Sequence, residues 1–274
     1  MRILVTGATG NIGRHVVTGL RERGHDVRAM TRDPSRDGDV AGDFTDPDSV
    51  GKAADDADAV FLLWPFLTPD GADAVASAIG RRHPRRHIVY VSAMSAPQGG
   101  VWGAVEEAVR RSGSPYTFLR PGGFATNTLE WAPAIRAGDP VRMPFPRAAR
   151  SLIHERDIAD VAVHVLLGSG HRGKEYVLTG PSVVTMADQV KIIGDAVSSR
   201  PEVVEQPLDE ARAEMAQWAG DDFADGALSY WAGLVDEPEP VTNTVAELLG
   251  RPARTFVRWA ADHADDFRPS SGGE

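Results

Sequence analysis

The spacing of apolar residues predicts alternating strands and helices through the first half of the chain. Residues 2–5 form an aliphatic run typical of a buried strand, and from Ile12 to Leu20 apolar residues recur at helical spacing. Later apolar runs predict strands over 25–31, within 40–46, and over 58–64, 85–92 and 116–121. Because strands joined by helical crossovers pair in parallel, this alternation predicts an α/β fold with a doubly wound parallel sheet.

The second half of the chain is less regular. Its apolar spacing predicts one strand over 174–178 and helices over 127–137, 158–167, 186–199, 210–219 and 243–267. No segment repeats at a fixed period, and no linker divides the chain cleanly into two domains.

Three glycines, Gly7, Gly10 and Gly13, separate the first predicted strand from the first predicted helix. Glycine lets the backbone turn sharply and approach a pyrophosphate, and the helix N-terminus offers that anion unpaired N–H groups and a positive dipole end. The spacing Gly-x-x-Gly-x-x-Gly differs from the Gly-x-Gly-x-x-Gly of most dehydrogenases. Its strand–turn–helix context nevertheless predicts a dinucleotide site.

The end of the second predicted strand indicates which dinucleotide is bound. This strand ends at Thr31 and Arg32, about twenty residues beyond the glycine loop, where the adenosine ribose is recognised. An acidic residue there would accept a hydrogen bond from a free 2′-hydroxyl, whereas a guanidinium suits a 2′-phosphate. We therefore expect NADP rather than NAD, although Asp33 follows directly.

The composition excludes several functional classes. None of the 274 residues is cysteine, so disulfides, thiol catalysis and cysteine-ligated zinc are excluded. The net charge of −10 disfavours nucleic acid and anionic membranes, and no apolar run is long enough to cross a bilayer. Because the chain enters a strand at once, without a secretory signal, we expect a cytoplasmic protein. The basic run at 81–87 joins a helix end to a strand start, where cations stay solvated.

Two catalytic patterns are absent. His154-Glu155 is not followed by the second histidine that a zinc protease needs, because Ile158 stands at that position. No Gly-x-Ser-x-Gly elbow supports a hydrolase triad. The sequence predicts no metal site.

Several landmarks occur together in a characteristic order: Thr6–Gly13, Arg32-Asp-Pro34, Gly42–Asp46, Ser112–Phe124 and Leu248–Phe256. The chain thereby resembles, over nearly its whole length, the NmrA-like group of atypical short-chain dehydrogenase/reductases, which includes NADPH-dependent quinone and azo reductases. The resemblance implies a Rossmann domain over 1–180 and a smaller C-terminal α/β substrate region over 181–274. Residues 122–148 would contribute to a substrate cleft.

The resemblance also assigns cofactor contacts. Gly7–Gly13 would hold the pyrophosphate and Arg32 the 2′-phosphate, while Asp43 and Phe44 would lie beside the adenine. Leu63–Pro65 would back the ribose and nicotinamide, and Gly122–Phe124 would close over the nicotinamide. The predicted cofactor residues are Gly7, Thr9, Gly10, Asn11, Ile12, Gly13, Thr31, Arg32, Asp43, Phe44, Leu63, Trp64, Pro65, Ser92, Gly122, Gly123 and Phe124.

The chain departs from the wider superfamily at the catalytic pair Tyr-x-x-x-Lys. If Glu106 is the glutamate that follows this pair in related sequences, Gln98 takes the tyrosine position and Trp102 the lysine position. Ser92, at a predicted strand end, is able to hydrogen-bond a substrate oxygen, but a lone serine is a poor proton donor. The sequence therefore identifies no catalytic residue.

The missing pair favours an activated acceptor. Hydride transfer to a quinone gives a phenolate-like oxygen. Because the pKa of the corresponding phenol is near 10, this oxygen can be protonated by water after the hydride transfer. We expect a small quinone-like, azo or other aromatic substrate, with tentative contacts from Phe66, Trp102, Asn127 and Trp131. Two alternatives stay open: a non-catalytic NAD(P)-sensing regulator, and a secondary-metabolic enzyme that acts on an aromatic intermediate. The oligomeric expectation is a monomer or homodimer.

Overall fold

The computed structural model describes residues 1–81, 83 and 85–269 and divides the chain into two compact units. The sheet unit comprises Met1–Gly122, Glu155–Leu178 and Thr244–Arg251. The C-terminal unit comprises Gly123–His154, Thr179–Asn243 and the described residues from Pro252 onward. Two residues of the basic run, 82 and 84, lie outside the described residues.

Eleven strands form three sheets within the described residues. They are β1 Arg2–Val5, β2 Asp26–Thr31, β3 Asp39–Ala41, β4 Ala59–Leu63, β5 His87–Val91, β6 Tyr116–Pro121, β7 Val141–Met143, β8 Ala149–Arg150, β9 Lys174–Leu178, β10 Val184–Thr185 and β11 Val203–Glu205. The strands predicted in the first half of the chain, and the strand predicted over 174–178, are confirmed.

The helices follow the same chain order. They are α1 Gly13–Glu22, α2 Pro47–Ala53, α3 Ala72–Arg81, α4 Gly100–Arg111, α5 Ala132–Ala137, α6 Glu155–Leu167, α7 Met186–Ala196, α8 Leu208–Ala219, α9 Asp221–Gly233, α10 Thr244–Leu249, α11 Phe256–Asp262 and α12 Ala264–Phe267. Two 3₁₀ helices span Ala96–Gln98 and Ala125–Trp131.

The sheet unit is built on seven parallel strands in the order β3-β2-β1-β4-β5-β6-β9. Strand β5 is buried along its whole length because helices cover both faces of the sheet. Helices α2, α3 and α4 pack on one face, around a core that includes Leu62, Ile79 and Val109. Helices α1 and α6 pack against each other, and α6 also contacts β4, β5 and β6. The predicted doubly wound parallel sheet is confirmed.

The C-terminal unit has its own core and two small sheets. Strand β7 pairs in parallel with β11, and β8 pairs antiparallel with β10. Trp259 is fully buried in α11 and stacks between Phe256 and His263, at ring-centroid distances of 5.3 and 4.5 Å. The buried indole therefore forms a stacking centre for the apolar residues of this unit.

Two predicted helices differ from the structure. The helix predicted over 243–267 is wrong, because α10, α11 and α12 divide this region. Gly250 has a φ of +68°, which ends a helix, and Pro252 lacks the N–H that would continue it. The helix predicted over 127–137 is α-helical only in its second half: the 3₁₀ helix ends at Trp131, and α5 begins at Ala132.

The compact units are discontinuous in sequence, whereas the boundary predicted at residue 180 is a single cut. Helix α6 and strand β9 return to the sheet unit after the first excursion, and α10 returns after the second. Each return buries an apolar helix face or adds a strand to the sheet, and such pairing is decided by tertiary packing.

Candidate functional site

The glycine loop after β1 is held to β4 by two hydrogen bonds, one through the backbone and one through the side chain of Thr6. The Thr6 amide donates to the Phe61 carbonyl at 3.0 Å, and the Thr6 hydroxyl accepts from the Leu63 amide at 2.8 Å. Thr6 is fully buried, so this anchor is protected from water. The loop therefore starts from a fixed point at the carboxyl end of the sheet.

Gly7 and Gly13 each have a steric reason to lack a side chain, and Gly10 closes the turn between them. Gly7 has a φ of +60°, in the left-handed region that favours glycine. The Gly10 amide donates to the Gly7 carbonyl at 2.9 Å, which closes a tight turn. A Cβ at Gly13, the first residue of α1, would overlap that same carbonyl. The loop and the start of the helix are thus packed backbone against backbone.

The N-terminus of α1 is suited to an anion. Its N-cap residue, Ile12, supplies no side-chain hydrogen bond, so no side chain caps this helix in the described structure. The strand order reverses between β1 and β4, and ligands of open α/β sheets bind at such a switch point, beyond the carboxyl ends of the strands. A dinucleotide pyrophosphate fits the bare glycines and the uncapped helix end.

The ends of β2 and β3 place an exposed cation near an acid. Arg32 follows β2 and is exposed, and Thr31 is half-buried. Hydrogen bonds from Thr45 lower the pKa of the Asp43 carboxyl, and the nearby charge of Arg32 lowers it further. The Arg32 guanidinium is thus exposed and accessible to an anionic ligand, and it interacts electrostatically with Asp43.

Three of the predicted aromatic residues form one edge-to-face cluster. The Trp64 ring lies 5.5 Å from Phe44 and 5.3 Å from Phe66, and Phe44 lies 6.4 Å from Phe66. Trp64 is buried, and its indole N–H donates to the Thr68 carbonyl at 2.8 Å. Phe44 and Phe66 are half-buried, so they keep an accessible surface at the carboxyl edge of the sheet.

The remaining predicted substrate residues are spread over both units. Trp102 is half-buried in α4 and packs on the core of the sheet unit. In the C-terminal unit, Asn127 is exposed, while Trp131 is 7% exposed and belongs to that unit's core. The chain segment Gly122–Phe124 spans the boundary between the units, since Gly122 ends the first segment of the sheet unit.

Ser92, directly after β5, is engaged in a buried ionic network. Its hydroxyl donates to Glu106 on α4 at 2.7 Å, and Arg120 donates to both oxygens of that carboxylate at 2.9 and 2.6 Å. Arg110 and Arg120 also bind Glu175 on β9, at 2.6 and 2.5 Å. Ser92 is 3% exposed and Glu106 1% exposed. The serine hydroxyl is therefore oriented toward a carboxylate within the protein.

The residues that the sequence compares with a Tyr-x-x-x-Lys pair are a glutamine and a tryptophan, and Tyr90, two positions before Ser92, is poorly suited to donate a proton. Gln98 lies in the 3₁₀ helix before α4, and Trp102 lies in its first turn. Tyr90 is fully buried in β5, and burial together with the Glu106 charge raises the pKa of its phenol. Such a phenol is a poor acid near neutral pH.

The described residues contain no group of three or more His, Cys, Asp or Glu side chains placed to hold a metal ion. Among the same residues, no helix combines the length and the apolar character needed to cross a membrane.

Known proteins share sequence similarity with this chain over most of its length. A family model described as NAD(P)H-binding matches residues 7–168. The (4-alkanoyl-5-oxo-2,5-dihydrofuran-3-yl)methyl phosphate reductase of Streptomyces griseus is 36% identical, covering 97% of this chain and 99% of that protein. The NAD(P)H azoreductase of Xenophilus azovorans is 32% identical, with the same coverage of 97% and 99%.

Solved structures share the fold. The Escherichia coli NADPH-dependent quinone oxidoreductase in complex with NADPH superposes with a TM-score of 0.80 at 21% identity, covering 95% of this chain and 99% of that one. Citrobacter triphenylmethane reductase in complex with NADP(H) gives 0.77 at 20% identity, covering 96% and 100%. The predicted Rossmann-type fold is confirmed.

Proposed function

The chain belongs to the NAD(P)H-binding family and is an NAD(P)H-dependent reductase of the atypical short-chain type; from this premise we propose that it reduces a quinone-like or similarly activated acceptor with NADPH. The cofactor supplies hydride when bound. The acceptor gains two electrons with that hydride, and the atom that receives the negative charge, an oxygen of a quinone or a nitrogen of an azo group, takes a proton from water afterwards.

The observation that carries the proposal is the hydrogen bond between the Ser92 hydroxyl and Glu106, which leaves Ser92 poorly placed to donate a proton to a substrate. This hydroxyl donates to Glu106, and Gln98 and Trp102 would take the places of the acid and the lysine if Glu106 is the glutamate that follows the pair in short-chain dehydrogenases. An alkoxide formed from an ordinary ketone needs a donor beside it. A phenolate, with a pKa near 10, does not need one. The residues of this chain thus favour an acceptor whose reduced form tolerates negative charge.

The names of two relatives support the same substrate class. An azo group is an electron-poor double bond, and the Streptomyces reductase acts on a dihydrofuranone whose ring double bond is conjugated with an oxo and an alkanoyl group. Both acceptors spread the charge that arrives with hydride over a conjugated system. We propose that the substrate of this chain does likewise.

Steady-state kinetics with NADPH and a panel of benzoquinones, naphthoquinones and azo dyes test the proposal. We expect NADPH oxidation with at least one of these acceptors and none with simple aliphatic ketones. Turnover of ketones with no quinone or azo activity would overturn it. So would failure of both NADPH and NADH to bind.

Arg32 carries the proposed preference for NADPH. A charge-assisted hydrogen bond contributes about 1.5–3 kcal/mol, so Arg32→Ala should weaken NADPH binding about 10- to 100-fold. The Kd for NADH should stay the same, because NADH lacks the 2′-phosphate. Arg36→Ala, an exposed cation four residues further on, is the matched control. Equal loss of NADPH and NADH affinity in Arg32→Ala would remove the assignment.

A further inference from the structure

The sheet unit contains a cavity that none of the predicted site residues lines. Its volume is about 620 Å³, within the range of pockets that hold small molecules. Residues of α6, of the end of α1 and of the end of α10 line it, and α6 packs against both of these helices. All the lining residues belong to the sheet unit, so the cavity is a feature of that unit alone.

The cavity lies at the end of α1 that is opposite to the glycine loop. Helix α1 begins at Gly13 and ends at Glu22, and its C-cap residue, Arg23, lines the cavity. The 10 residues of this helix rise about 15 Å along its axis. A dinucleotide bound at the glycine loop therefore leaves the cavity accessible, and a ligand in the cavity would occupy a second site.

Arg23 gives one side of the cavity a positive charge. Its Nη1 donates to the Gly19 carbonyl at 2.7 Å, and no acid among the described residues forms an ion pair with it. The side chain is exposed, so its other N–H groups are accessible to a ligand. In a protein whose net charge is −10, such a cation is a local point of attraction for an anion.

A second arginine of the lining, Arg251, is paired within the protein. Its Nη2 lies 2.8 Å from an oxygen of Asp157 and 2.5 Å from an oxygen of Asp160, and both of these acids lie on α6. Two carboxylates therefore offset the charge of Arg251. The positive charge that a ligand meets in the cavity is accordingly that of Arg23.

The charge of Arg23 lies beside an aliphatic surface of α6. A Cβ at Gly19 would lie 3.3 Å from Val163 Cγ2 and 3.5 Å from Arg23 Nη1. The guanidinium and the Val163 side chain are therefore close neighbours. Val163 and Leu167 lie one turn apart on α6, on the same face of the helix.

Helix α10 extends this aliphatic surface. Its last two residues, Leu248 and Leu249, line the cavity and are half-buried, as is Leu167. Each of these leucines keeps apolar surface that a ligand can remove from water. The cavity thus combines one accessible cation with an aliphatic wall.

We propose that this cavity binds an amphipathic anion, whose acidic head group pairs with Arg23 and whose short hydrocarbon body covers the leucines. An exposed ion pair is weak by itself, so the apolar contact supplies much of the affinity. A carboxylate and a phosphate ester share this chemistry. The inference is independent of the reductase function, because binding at this site requires no turnover.

The first test titrates hexanoate into the isotope-labelled full chain, with NADP⁺ present, and follows backbone amides by NMR. We expect a saturable shift of the Gly168 amide, which lines the cavity, with a Kd of about 1 mM or tighter. The Gly226 amide, in the C-terminal unit, should not shift. Absence of a saturable shift at Gly168 up to about 10 mM hexanoate would overturn the proposal.

Related probes separate the two parts of the ligand. 1-Hexanol lacks the charge and acetate lacks the hydrocarbon body, so each should bind about 10-fold more weakly than hexanoate or worse. Hexyl phosphate should bind at the same amide, and its affinity relative to hexanoate identifies the preferred head group. Tighter binding of hexylammonium than of hexanoate would show that the cavity selects cations, which contradicts the role of Arg23.

Arg23→Gln tests the head-group contact. It should weaken hexanoate binding about 10-fold, because it removes a charge-assisted hydrogen bond, and it should leave the affinity for 1-hexanol unchanged. Arg21→Gln is the matched control, because Arg21 is exposed in the last turn of the same helix and does not line the cavity. Equal hexanoate affinities in Arg23→Gln and Arg21→Gln would refute the assignment of Arg23.

Leu249→Asp tests the aliphatic wall. A carboxylate at this position should abolish hexanoate binding, because it removes apolar surface and repels the anion. Val257→Asp, at an exposed residue outside the cavity, is the matched control and should bind hexanoate like wild type. An unchanged NADPH Kd shows that the variant is folded, and unchanged hexanoate binding in folded Leu249→Asp would contradict the proposal. If Leu249→Asp does not fold, the surface variant Arg23→Gln decides.

Discussion

Replacing Glu106 with glutamine tests how strongly the buried ionic network stabilises the sheet unit. The change keeps the shape of the side chain but removes its charge and turns one oxygen into a donor. Arg120, only 11% exposed, now faces an amide in place of the carboxylate it binds at 2.9 and 2.6 Å. The Ser92 hydroxyl and Arg110 lose the same partner.

The cost follows from leaving a buried cation poorly paired. Removing one member of a buried ion pair costs about 3–5 kcal/mol. Arg120 keeps its contact with Glu175 at 2.5 Å, so the loss should lie at the lower end, about 3 kcal/mol. Glu107→Gln is the matched control, because Glu107 is 55% exposed and, among the described residues, its ion pair is with Arg110. An exposed pair of this kind contributes less than about 1 kcal/mol.

Urea unfolding followed by tryptophan fluorescence measures both variants. We expect the free energy of unfolding to fall by about 3 kcal/mol in Glu106→Gln and by less than about 1 kcal/mol in Glu107→Gln, with similar m-values. Equal losses in the two variants would show that the network does not stabilise the fold through its buried carboxylate.

Three further predictions concern single positions. Gly13→Ala should weaken NADPH binding about 100-fold, because the added Cβ displaces the loop, whereas Gly226→Ala, with open space around it, should not change the Kd. His87 is buried, and burial lowers its pKa from 6.5 to about 4. As the pH falls, the His87 imidazole is protonated in the unfolded chain before it is protonated in the folded protein, so stability is lost between pH 6.5 and about 4. Between pH 7 and 5 the free energy of unfolding should therefore fall about 2 kcal/mol more in wild type than in His87→Gln. Asp46→Ala removes the side-chain cap of α2 and should lower that free energy by about 1 kcal/mol in urea unfolding.

The glycine loop shows what local sequence determines well. Its strand, its glycines and the apolar face of α1 lie within twenty residues. The backbone conformation and the helical periodicity of this segment can therefore be predicted from residues that are close together in the sequence. The predicted strands and the NAD(P)H-binding family follow from the same kind of signal. Phe44, Trp64 and Phe66 were each predicted as site residues, with different roles, and their edge-to-face packing in one cluster was not predicted.

The second half of the chain was harder to predict because its pattern carries less information. An apolar periodicity continues through 243–267, but Gly250 and Pro252 break it into separate helices. The return of β9 and α10 to the sheet unit depends on which surfaces pack together. The spacing of apolar residues shows that one face of an element is buried, but it does not show which other element packs against that face.

By itself, the sequence determined the strand–glycine–helix start and the parallel α/β pattern, because each depends on residue type and short spacing. Only the tertiary structure decided that the Ser92 hydroxyl is directed to Glu106, and that Arg150 meets Glu239 across 89 positions. Such polar pairs have no periodicity, and they arise where separate elements exclude water together. Burial then makes each partner necessary to the other, which is a property of the folded chain and not of any segment of it.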